Sequence, residues 1–137
     1  MLPQLLISAS AAIALFLGTL HLIYTFASDK FLPRAPAVAE QMKRVSPVIS
    51  KETTMWRVWI GFNASHSLGV MLFGVVYGYL SLFHFSMLRQ DHFLLSVGAI
   101  FLASLVLLAK RYWFSVPLMG VGISLLLYLA GVALAVA

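Results

Sequence analysis

Four apolar stretches constrain this chain more than any other feature: about Gln4 to Ser28, Met55 to Phe83, His92 to Ala109 and Val116 to Ala137. Each reaches the roughly 17–25 residues that carry a helix across a hydrocarbon core. No water is available there to bond exposed N–H and C=O groups, so a single stretch of that length resolves its backbone as a helix. The expected architecture is all-α, a four-helix transmembrane bundle forming one domain over residues 1–137. Composition agrees, with 62% hydrophobic and 9% charged residues, against about 25% charged in soluble domains. Cysteine is absent, which removes disulfides, thiolate metal sites and thiol nucleophiles.

Boundary signals match these limits. Pro3 and Pro117 stand where a first helical turn tolerates a missing N–H, and Thr53, Asp91 and Ser115 are expected caps. MLPQLLISAS has no cation ahead of its apolar run and no cleavage pattern after it, so the first stretch is expected to remain as an anchor. In the long connection 29–54, Val38, Met42, Val45 and Ile49 recur at helical spacing opposite Glu40, Lys43 and Arg44. That pattern predicts a short interfacial amphipathic helix between helices one and two, although Pro47 interrupts it.

The net charge of +5 comes from cations beside apolar segments. Their expected counter-charge is anionic lipid headgroups, with no nucleic acid among the partners. The connections after helices one and three hold Lys30, Arg34, Lys43, Arg44, Lys51, Lys110 and Arg111, whereas the connection between helices two and three offers Arg89. The positive-inside rule therefore places both termini outside the cytoplasm. Trp56, Trp59, Tyr112 and Trp113 fall at the expected cytoplasmic boundary, where an aromatic belt belongs.

The polar residues inside these stretches are few and patterned. At 100° per residue, Ser10, Ala14, Gly18, His21, Thr25 and Ser28 share one side of helix one, and Trp59, Asn63, His66, Val70, Gly74 and Tyr77 share one side of helix two. Polar stripes belong against protein. Counted from the cytoplasmic boundary, His21 and His66 lie roughly 10 and 13 Å deep at about 1.5 Å per residue. One buried cluster of His21, Tyr24, Asn63 and His66 is expected.

Such a cluster has two uses. Two neutral imidazoles can hold haem iron, another metal, a quinone or a lipid headgroup, with Gly18, Gly61 and Gly69 clearing space for a flat cofactor. Alternatively, the side chains bond across helices, at about 0.6 kcal/mol apiece. Interhelical bonding is the commoner use and is the leading expectation; haem is the sharper alternative.

Gly61, Ser65 and Gly69, and then Gly74 and Gly78, repeat every four residues and predict helix-packing faces; Gly120, Ser124 and Gly131 give helix four another. With so many such faces on four helices, one is expected to serve another subunit or a second copy of the chain. His84, Arg89, Asp91 and His92 crowd one short connection, which a turn with a capping Asp91 explains without a metal. The Asn63–Ser65 sequon lies in mid-helix and is expected to stay unglycosylated. No Asp or Glu lies inside an expected span, which disfavours ion-coupled transport and an acid-dependent triad.

A Trp-rich approach to helix two followed by GFNASHSLG, residues 61–69, resembles a group of small four-helix integral membrane proteins of bacteria. The resemblance implies a bacterial inner-membrane setting and a pairing of Asn63 with His66, and it implies no activity. The expected function is a small accessory or structural subunit of a larger membrane complex, more a scaffold than an enzyme. The alternative is a redox or ligand-binding protein using His21 and His66.

Overall fold

The computed structural model describes Met1–Ala137 as six helices without a strand: α1 Leu2–Ala27, α2 Pro36–Arg44, α3 Met55–Phe83, α4 Phe85–Gln90, α5 His92–Tyr112 and α6 Ser115–Val136. α1, α3, α5 and α6 are long and apolar enough to cross a membrane. The chain is an integral membrane protein with the expected four spans, and α2 is the short helix expected in the long connection.

Local chemistry sets the helix ends. Asp91 accepts the Leu94 N–H at 3.0 Å and caps α5. At the start of α3 the cap is Thr54, not the expected Thr53, with the Arg57 N–H 3.3 Å from its hydroxyl. Ser115 lies inside α6, behind an extended Phe114 that makes no side-chain cap. Pro117 occupies the first turn, where its missing N–H leaves no bond unmade. α2 stops at Arg44 because Val45 turns extended ahead of Pro47. Its buried residue is Ala39, and Val38, Val45 and Ile49 are exposed, so the expected apolar row does not continue as a helix through the proline. α4 was not foreseen; its six residues read as part of a turn.

The chain partitions into two compact units, Met1–Leu17 with Val70–Ala137 and Gly18–Gly69, and α1 and α3 each contribute to both. The larger unit is a four-helix core. Ile7, Ala11 and Ala14 of α1 join Val70, Phe73 and Tyr77 of α3, Leu102 and Leu105 of α5, and Val121 and Tyr128 of α6. On α5 the buried residues Leu95, Gly98, Leu102, Leu105 and Ala109 recur at intervals of three and four, the seam spacing of packed helices.

Small residues let the backbones close. A Cβ on Gly74 would sit 2.6–2.8 Å from Leu15 and the Ala11 carbonyl, and one on Gly131 would meet Ile7 and the Pro3 carbonyl. Gly98 makes room for the rings of Tyr128 and Tyr77, which meet edge to face at 5.7 Å. Their hydroxyls donate to the Leu95 and Leu94 carbonyls, at 3.0 and 2.6 Å respectively.

Serines join these helices. The Ser10 and Ser124 hydroxyls lie 2.9 Å apart, and each is within 3.0 Å of the other's carbonyl, linking α1 to α6. Ser8 and Ser81 meet at 2.8 Å and link α1 to α3. No buried side-chain polar atom lacks a partner, as a medium without water requires.

The smaller unit contains the end of α1, α2 and the start of α3. Its buried residues are Gly18, Thr25, Ala39 and Ser67. The Met55 N–H donates to the Val45 carbonyl at 2.8 Å and closes the connection just before α3. On α2, Lys43 reaches Glu40 at 2.9 Å, an exposed pair of small energetic weight. This ammonium holds the Glu40 carboxyl below its ordinary pKa.

Candidate functional site: an imidazole–carboxamide cluster

The smaller unit contains the polar residues expected to meet. His21 on α1 and Asn63 on α3 are joined by a 3.1 Å hydrogen bond between Nε2 and Oδ1. The Asn63 amide is oriented by its other end, since Nδ2 donates to the Trp59 carbonyl at 2.8 Å. Oδ1 can only accept, so His21 carries its proton on Nε2. The His66 ring stands edge-on to His21, with centroids 5.4 Å apart and planes at 73°. One turn further along α3, Ser67 donates to the Asn63 carbonyl at 2.9 Å.

His21, Asn63 and His66 therefore meet as expected, and Tyr24 does not join them. Thr25 and Tyr24 project to opposite sides of the His21 direction, at about +40° and −60° on a 100° wheel. Thr25 takes the buried side and donates to the His21 carbonyl at 2.8 Å. Tyr24 instead lies beneath Lys30, whose ammonium is 5.1 Å from its ring centroid.

The ring beside His21 is Phe31, at 4.8 Å, and Phe31 in turn meets Trp59 at 6.2 Å. The Trp59 indole N–H donates to the Phe31 carbonyl at 3.1 Å and ties the connection to α3. Sequence reasoning missed Phe31 because it lies outside any periodic segment. Trp59 was visible on the α3 stripe, but only as a belt residue.

The geometry favours a bonded network over a metal or haem pocket. His21 and His66 touch edge to face, which leaves no gap for a macrocycle between them, and Nε2 of His21 is committed to Asn63. No three His, Asp or Glu side chains converge anywhere in the chain. Outside the cluster, His84 bonds the Tyr79 hydroxyl at 3.1 Å and Asp91 caps α5. The arrangement can hold two helices in register and offer imidazole edges for hydrogen bonding.

The small-residue faces divide. Gly74 is filled by α1 and Gly78 has the Ala11 methyl 3.7 Å from its Cβ position, while Gly61 and Gly69 meet nothing within 4 Å. Ser65 between them is exposed and turns its hydroxyl back to the Phe62 carbonyl at 3.0 Å. Val58, Gly61, Phe62 and Ser65 line a shallow groove of about 230 Å³.

A second cavity, of about 290 Å³, lies beside the cluster, lined by Thr25, Phe26, Ser28, Phe31, Leu32, Trp56 and Ile60. Comparison with known proteins finds no family model, no curated protein and no solved structure that matches the chain.

Proposed function

We propose that this protein is a small accessory or structural membrane subunit that packs against another membrane protein, or against a second copy of itself, through the Gly61–Ser65–Gly69 face of α3. The observation carrying this reading is the contrast along that helix. Gly74 is tightly filled from within the chain, whereas a Cβ on Gly61 or Gly69 would meet nothing within 4 Å. Small residues at four-residue spacing let a second backbone approach closely, and close approach drives helix association in lipid. The His21–Asn63 bond supports the same reading by holding α1 against α3 behind the docking face. The resemblance to small bacterial membrane proteins and the cation distribution favour an inner membrane with both termini outside the cytoplasm.

Native mass measurement after extraction in mild detergent tests this. A dimer or a defined heteromeric complex is expected, and Gly61→Leu and Ser65→Leu should release the monomer without loss of helicity. A wild-type chain that runs only as a monomer overturns the reading. So does a Soret band that disappears in His66→Ala, since that would make the cluster a haem site.

A further inference from the structure

We propose that the cavity between the end of α1 and the start of α3 seats one anionic phospholipid of the surrounding bilayer. The inference is independent of the packing face proposed above. At about 290 Å³, the cavity falls just short of the ~300–1,000 Å³ that encloses whole small molecules. It suits the glycerol region of a lipid whose tails remain in the membrane.

Its position along the spans supports this. Thr25 and Ser28 sit in and just after the last turn of α1, and Trp56 and Ile60 sit in the first two turns of α3. The cavity therefore opens at the depth where acyl chains give way to headgroups. Phe26 and Leu32 are exposed beside it and offer apolar contact to the tails.

The polar chemistry of the wall is selective. The Thr25 and Ser28 hydroxyls spend their protons on the His21 and Tyr24 carbonyls, so both present only acceptor capacity. Trp56 differs from Trp59: its indole N–H makes no hydrogen bond within the chain. It is the one side-chain donor on this wall free for a phosphate or ester oxygen. The surrounding charge has the matching sign, with six Lys or Arg against three Asp or Glu over residues 18–69. Lys30 and Arg57 directly adjoin lining residues, against the single carboxylate of Asp29 beside Ser28. Cations at a membrane edge raise the affinity for anionic headgroups by about fivefold each.

The test is lipid retention by the full chain in mild detergent, followed by native mass spectrometry during titration with phosphatidylglycerol or with phosphatidylcholine of the same acyl chains. One phosphatidylglycerol per chain is expected to bind saturably, about tenfold or more tighter than phosphatidylcholine. Ser28→Trp, which places an indole at the cavity mouth, should abolish the bound species. Trp56→Phe, which keeps an aromatic ring and removes the indole N–H, should weaken it several-fold. Gly61→Leu should leave it unchanged, which separates this site from the packing face.

Equal retention of the two lipids overturns the proposal, as does undiminished retention in Trp56→Phe together with Ser28→Trp. Should Ser28→Trp lose its helical circular dichroism, the Trp56→Phe result decides alone.

Discussion

The two units solve the burial of polar groups in opposite ways. In the larger unit the core is apolar and aromatic, Gly74, Gly98 and Gly131 are filled by rings or backbones, and buried hydroxyls bond to a neighbouring helix. In the smaller unit almost nothing is fully buried, and its centre is a half-buried imidazole–carboxamide network with an aromatic wall. A close-packed core is unforgiving of volume changes, while a bonded network loses only the net worth of its bonds. The first unit is therefore expected to hold the fold, and the second to carry the surfaces that meet other molecules.

Substitutions can break this contrast. Tyr128→Ala removes a fully buried ring that fills the Gly98 notch and bonds Leu95. It should cost about 3–5 kcal/mol and lower thermal melting in detergent more than any change in the smaller unit. If a His21 variant is the more damaging, the division of labour is wrong.

A matched pair on α3 comes next. Gly74→Ala forces a methyl into the α1 backbone and should cost about 1–3 kcal/mol. Gly61→Ala meets nothing and gains helix propensity, so it should be neutral or stabilising by up to about 1 kcal/mol in the isolated chain. Equal melting of the two variants would show that the open and filled faces are not distinct.

Within the cluster, Asn63→Leu deletes one interhelical bond, to His21, worth roughly 0.6 kcal/mol, together with the amide's bond to the Trp59 carbonyl within α3, and should cost about 1 kcal/mol. His66→Ala removes the edge-to-face contact with His21 and should lower melting as well. A double-mutant cycle between His21 and Asn63 reads their coupling directly, and a coupling of zero would mean the observed bond contributes nothing.

The smallest effect belongs to α2. Lys43 lowers the Glu40 pKa in the folded chain, so the pair's contribution is present above the ordinary carboxylate value and is lost as pH falls through the lowered one. Because the pair is exposed, Glu40→Gln should leave melting at neutral pH nearly unchanged while removing this acid-range dependence.

Much of the site was readable in the stripes. His21, Asn63 and His66 share faces by periodicity, and a polar face in a membrane has to turn toward protein. The aromatic partner was not readable, because Phe31 belongs to a connection whose path depends on the Trp59 N–H and the Phe31 carbonyl meeting. Tyr24 had the right depth and the wrong angle: depth alone grouped it with His21, while the helical period puts Thr25, not Tyr24, on the stripe.

The sequence alone determined the membrane class, the four spans, the absence of acidic groups within them and the polar stripes, since these follow from local hydropathy and a fixed helical period. Tertiary structure decided which small-residue face is filled. Gly61 and Gly74 carry the same local signal, and only the path of a neighbouring helix distinguishes them. It also decided that Ser10 meets Ser124, that Phe31 closes over His21 and that Trp56 keeps a free donor beside a cavity. These are pairings between distant segments, set by how backbones cross, and no local pattern encodes a crossing.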